Sequence, residues 1–419
     1  MTKTPKIIYT NCYIYNRLKA IIVIKKFHMK LNNLKLSVLL SIAVLILSCN
    51  YPLKGQEVKQ TTEFKKTSVN KIVPPGNTDI DDLASFIAGI PASNKNKCYA
   101  RLDTTVKWIN YAKELDKMFA RADTFRFVKM KSWADSELIK NHSIKTVFYP
   151  FSGPDFLNAN IFYPDVDQYI MIAMEPIGYL PNICGMHPDS VNSYLNTVNN
   201  SLTDIFKRSY FITKTMDTDL RTNKVHGAIP LISLFIKRTG HQIVSFEKVG
   251  IDSLGKMKML DNYNDIKGLV PGIKVNFNSL SDKKMKSVYY FRTDISDKGL
   301  AKNKGFKTYM SGLPKSFTYL KAASYLMHGG DFKEIRDLVF EISSTILQDD
   351  SGITYSLFDK TKWDIKLYGK YYKPSTEFSY ISEPTLEKAY KTSEYRPISF
   401  SLGYNWRSEH SNMLYAVRK

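Results

Sequence analysis

Apolar positions along this chain fall into three kinds of run, and each predicts a different element. Leu36–Leu47 is a nearly unbroken apolar stretch that follows a basic leader. Beyond it, helical spacing begins at Thr78, whose side chain suits a helix cap, with Asp81 adding a favourable first-turn charge. Ile80, Leu83, Phe86 and Ile87 recur along one face before Gly89 and Pro91 stop the run. The same spacing predicts a helix over Thr105–Arg121 and a long one over Pro188–Arg208, where Val191, Leu195, Val198, Leu202, Ile205 and Phe206 share a side. Ala228–Lys237 is apolar all round and reads as a buried helix ended by Gly240. Tyr319–Met327 and Phe332–Leu347 read as two further helices joined by His328-Gly329-Gly330-Asp331, with Asp331 as the cap of the second.

Strand signals sit between these helices. Ile144–Tyr149 and Gln168–Met174 are short and β-rich, separated by a Ser152-Gly153-Pro154 turn and a short helix over Asp155–Phe162. This is the pattern of a β-α-β unit with a parallel pair. Gln242–Glu247, Lys274–Phe277 and Lys286–Arg292 alternate with polar turns and predict an antiparallel section. Ile398–Tyr404 and Met413–Val417, around Trp406, read as closing strands. The fold class is therefore α/β or α+β, with a mixed sheet and flanking helices. The body runs over 78–419, with a break near 240 if it holds two subdomains. No repeat period occurs, which argues against a solenoid or propeller.

The first apolar run decides where such a body would reside. Lys30 and Lys35 precede it, and Ser48 and Cys49 close it, which is the layout of an export signal over 29–48. As a helix it covers roughly 18 Å, short of the ~30 Å hydrocarbon core. Its end, Ile46-Leu47-Ser48-Cys49, resembles the lipobox of bacterial lipoproteins, although Leu47 stands where a small residue is usual. The resemblance implies a diacylglycerol thioether on Cys49, cleavage before it, and acylation, commonly by palmitate, of the freed amine. Two or three chains suffice for stable anchoring in a bilayer. Residues 1–28, basic and free of acids, read as a start codon placed too early or a leader extension, and 49–77 as a polar tether ending in Pro74-Pro75-Gly76. Asn50, by the same resemblance, is permissive for the outer membrane, leaving the body in the periplasm or at the cell surface.

Charge adds little to this picture. Loss of 1–48 removes eight basic residues and no acid, lowering the formal charge from +21 to about +13. Arg contributes 12 of the 60 basic residues, and no basic stripe with interleaved aromatics appears, so a nucleic-acid partner is not expected. Outside the cytoplasm, Cys98 and Cys184 are the pair available for one disulfide; two buried thiols fit the sequence equally well.

Signatures of zinc peptidases, zinc ribbons, P-loops, esterase elbows and dinucleotide folds are absent from the chain, so no cofactor and no metal is expected. Asp349-Asp350-Ser351-Gly352 lacks the later acids of a calcium loop and reads as a polar turn. Architecture gives the best candidates. Loops after two parallel neighbours emerge at one sheet edge, where open α/β folds place ligands. Those loops hold Ser152, Asp155 and Glu175, a hydroxyl and two carboxyls available as acid, base or ligand groups. Two functions follow. One is a lipid-anchored envelope protein with a binding or structural role, displaying a groove or an exposed apolar-aromatic patch among Tyr368, Tyr371, Tyr372 and Phe378. The other is an envelope hydrolase built on Ser152, Asp155 and Glu175.

Overall fold

The computed structural model describes residues 77–419 apart from 94–95, 209–224, 265, 282, 374–381 and 405–407. The leader, Cys49, the tether, Trp406 and Phe378 lie outside the described residues. The apolar run after Ile144 becomes the centre of the molecule: β1 (Thr146–Pro150) is buried along its whole length. It pairs in parallel with β2 (Gln168–Ala173) on one side and with β7 (Ser316–Leu320) on the other. Alternation then sends Val147 and Tyr149 to one apolar layer and Phe148 to the other.

Helices α1 (Asn77–Ile87), α2 (Lys97–Leu102) and α3 (Val106–Ala122) build the first layer before β1 is reached. Thr105 caps α3 by accepting from Trp108 N. A π turn over Asp123–Phe127 carries α3 directly into α4 (Val128–Glu137). The same layer holds α5 (Phe156–Phe162), which joins β1 to β2, α6 (Pro188–Arg208) and α7 (Ile229–Arg238). Every residue from Ile229 to Ile236 in α7 is buried, so this helix has no polar face to give to water. A disulfide between Cys98 in α2 and Cys184 in the turn after β2 ties two parts of this layer together, with S–S 2.05 Å.

The chain then forms β3 (His241–Ile251), the short edge strand β4 (Met257–Met259), β5 (Val270–Ser279) and β6 (Met285–Arg292). These pair antiparallel up to β6, which lies parallel to β2. From β6 the chain passes through α8 (Asp297–Lys302) and α9 (Lys304–Ser311) on the opposite face and returns as β7 beside β1. A pair of 3-10 turns and α10 (Lys333–Ile342) lead to β8 (Ser343–Gln348), parallel to β7. The strand β9 (Trp363–Gly369), the helix α11 (Pro384–Thr392) and the strand β10 (Asn412–Arg418) complete the body. The strand order is β4-β3-β5-β6-β2-β1-β7-β8-β10-β9 in a single mixed sheet. The fold is α/β, with a parallel centre and antiparallel wings.

The structure differs from five of the sequence expectations. Tyr319–Met327 is not a helix, because its first part completes β7 and Ala323–His328 is a 3-10 turn. Phe332–Leu347 is a helix only to Ile342, after which the chain turns into β8. Ile398–Tyr404 carries a single bridge residue rather than a strand. Nor does Asp331 cap α10: Asp297 accepts from Glu334 N at 2.7 Å and serves that helix from outside. The body also does not divide near 240, since β3 belongs to the same sheet as β1 and Val73–Lys419 forms one compact unit.

Candidate functional site

Beside β1 the chain leaves toward β2 on one side and reaches β8 through β7 on the other, so the order reverses between β1 and β7. Their carboxyl ends are the position at which open α/β sheets hold ligands. A buried polar cluster lies there. Asp155 is the N-cap of α5: its Oδ1 accepts from Asn158 N at 3.2 Å and Asn158 Nδ2 at 2.9 Å. Its Oδ2 accepts from the Tyr149 hydroxyl at 3.0 Å and from Lys321 Nζ at 2.5 Å. Lys321 follows β7, and both members of the ion pair are 2 % exposed. Burial pushes the Lys321 ammonium below its ordinary range, against the attraction of Asp155.

Ala322, next in the chain, has φ 60° and donates its N–H to Asp349 Oδ2 at 3.2 Å. A non-glycine residue at such a φ is uncommon, and strained backbone of this kind concentrates at functional sites. Asp349 Oδ1 takes the Ser351 N–H at 3.0 Å and also the Ser351 hydroxyl. The segment 402–404 crosses directly above. Gly403, at φ 61°, lies so close that a Cβ there would stand 1.7 Å from Asp349 Oδ2, so only glycine fits.

Farther along the edge, Asp350 Oδ2 accepts from the Tyr325 hydroxyl at 3.2 Å, and Tyr325 stacks on Tyr404 with centroids 5.2 Å apart. Burial, reinforced by Asp349, lifts the Asp350 carboxyl to about 8. Burial also lifts Glu383 to about 7, although its Oε2 accepts from Tyr355 N at 2.8 Å. His328 Nε2 lies 3.4 Å from Glu383 Oε1, and burial holds this imidazole down to about 4. Tyr371, which accepts from Glu383 N at 3.0 Å, is half-buried, and Tyr372 is exposed and packs on His410 at 4.1 Å. Tyr368 is buried within the sheet rather than displayed.

These shifts fix a pH response. Above an unfolded carboxyl value of ~4, Asp350 and Glu383 stay protonated in the native state but ionise on unfolding, so their contribution is lost as pH rises toward about 8 and about 7. His328 acts oppositely, because its contribution is lost as pH falls from the unfolded ~6.5 toward about 4. Of these three groups, the two carboxyls are the ones that still respond above ~6.5. Chemical denaturation between pH 6.5 and 8 is expected to show stability falling with pH, and Asp350→Asn is expected to flatten that slope. An unchanged slope would refute the assignment.

Of the residues singled out in the sequence, Asp155 stands at the centre of the cluster. Ser152 is buried and gives its hydroxyl to the carbonyls of Gly153 and Ile172, at 3.0 and 3.3 Å. Glu175 is buried after β2, where its carbonyl accepts from the Tyr290 hydroxyl at 3.1 Å. The partners gathered around Asp155 are therefore Lys321, Tyr149 and Asn158. Lys321 had a sequence signal: it is the one charge within Phe317–Ala323, and a lone charge in an apolar run is often buried and paired. No protein-family model matches the chain, and no curated protein matches it. Among the described residues, no group of three or more His, Cys, Asp or Glu is arranged to hold a metal, and no helix is long and apolar enough to cross a membrane.

Proposed function

We propose that this chain is a lipid-anchored protein of the cell envelope, moored through an acylated Cys49, with the outer membrane as its favoured membrane and a binding role for its body. The observation that carries the export half is the Cys98–Cys184 disulfide, a bond that persists in oxidising compartments and is rare in the cytosol. The signal-like run ending at Cys49 supports the same reading from the sequence. The binding half is supported by the carboxyl-edge cluster, where aromatic side chains surround the buried acids Asp350 and Glu383. A hydrolase using Ser152 draws less from this geometry, because its hydroxyl is spent on backbone carbonyls and Asp155 is held by Lys321.

Metabolic labelling with palmitate tests the anchor. The intact protein is expected to take up label and sediment with membranes, whereas Cys49→Ser is expected to lose both properties. Equal labelling of the variant would remove the proposal.

A further inference from the structure

Exposed apolar side chains gather at the edge of the sheet opposite to Asp155. The strands β3, β6, β2, β1 and β7 run the same way, so their amino ends and the β5–β6 turn share that edge. Leu280 and Met285 in the turn are 62 % and 50 % exposed, and Ile139 in the segment leading to β1 is 46 % exposed. Fixed contacts hold these segments together. Lys284 Nζ pairs with Asp167 Oδ1 at 2.5 Å, and Asp167 N donates to Lys145 O at 2.9 Å. Lys286 donates to Pro164 O, and Ile139, Lys145 and Pro164 line one crevice between the segments before β1 and β2. The turn is closed by Lys283 N, which donates to Ser279 O at 2.9 Å, and Lys283 itself is exposed at φ 53°. Apolar side chains that braced segments hold together in water mark a contact surface rather than a core.

Charge separates the two edges. The segments entering β1, β2, β6 and β7 (138–145, 163–167, 280–284 and 312–315) carry five lysines against three aspartates. Those leaving the same strands (151–155, 174–182, 293–296 and 321–322) carry three acids against Lys321 alone. A basic surface with protruding apolar side chains complements an anionic bilayer, which accepts both. The chain from Cys49 also enters the body here. Asp81, near the start of α1, accepts from Ile243 N at 2.8 Å at the beginning of β3, and Leu280 N donates to Gly240 O at 3.1 Å just before that strand. The 27 residues between Cys49 and Asn77 span at most roughly 90–100 Å. A contact too weak to hold a free protein then suffices, because the anchor makes docking intramolecular.

Resting on the lipid-anchored reading above, we propose that this edge is the face the body lays on an anionic bilayer. Leu280, Met285 and Ile139 enter the headgroup layer, and Lys145 and Lys283 meet its phosphates. The test uses the full-length lipidated protein in vesicles of phosphatidylcholine, alone or with phosphatidylglycerol, whose acyl chains are brominated. Leu280→Trp changes an exposed side chain and reports contact through its emission, read against the unsubstituted protein; Met285→Trp repeats the measurement should Leu280→Trp not fold. With phosphatidylglycerol the added emission is expected to shift to the blue and to be quenched, while that of Met174→Trp, exposed at the opposite edge, is not. Lys145→Gln with Lys283→Asn, where asparagine suits the left-handed backbone, is expected to weaken docking roughly tenfold or more. Quenching that is equal without phosphatidylglycerol, or stronger for Met174→Trp than for Leu280→Trp, would overturn the proposal. A blue shift that grows with protein concentration in detergent alone would give the edge to a second copy of the chain and overturn it as well. Protein that floats with the vesicles but shows no quenching removes the docking face and leaves the anchor standing. Protein that floats with neither composition removes the anchor and the docking face together.

Discussion

Lys321→Met is expected to destabilise the body by about 3–5 kcal/mol, the cost of breaking a buried ion pair from one side. The substitution leaves Asp155 fully buried beside Tyr149 with its cation gone. Its remaining donors, Asn158 N, Asn158 Nδ2 and the Tyr149 hydroxyl, are neutral and offset only part of the lost charge. The double variant Lys321→Met with Asp155→Asn is expected to recover part of the loss, because it retains a side-chain oxygen to cap α5 and removes both members of the buried pair, although Arg126 loses the carboxylate it faces. Urea denaturation of the two variants measures this directly. A loss below about 1 kcal/mol for Lys321→Met would mean that the pair is solvated rather than buried.

Reduction of the Cys98–Cys184 bond carries the second large effect. The bond closes 86 residues of sequence, for which chain entropy predicts a loss of about 4–5 kcal/mol on opening. The enclosed segment includes β1, β2 and the helices α3, α4 and α5, so its release loosens the part of the fold that holds Asp155. Cys98→Ser with Cys184→Ser is expected to melt well below the oxidised protein and to lose its response to reductant. Coincident melting curves for oxidised and reduced protein would contradict this.

Legibility in the sequence followed the physics of each element. Pro188–Arg208 was readable end to end because its apolar stripe faces the core and its other side faces water. The parallel pair of β1 and β2 was readable because turn residues bracket two short β-rich runs. In contrast, the sequence pattern reads the end of β7 and most of β8 as helix. Both lie in the parallel centre with apolar layers above and below, which removes the alternation that marks a half-exposed strand. The α4 segment escaped notice for a related reason, since its π turn places Arg126 inside and Phe125 and Val128 outside. At the site, Asp155 was legible from the loop that carries it. Asp349 and Asp350 read in the sequence only as a polar turn and Lys321 only as a lone charge in an apolar run, because a carboxyl-edge residue cannot be placed until its strand is recognised.

The anchor is the part of the account on which the compartment, the disulfide's setting and the reach of the body all depend. Mass spectrometry of the amino-terminal peptide of protein isolated from native membranes tests it most directly. The expected chain begins at Cys49, with its sulfur carrying diacylglycerol and its amine acylated. A mature chain that begins at any other residue, or an unmodified Cys49 thiol, would contradict it.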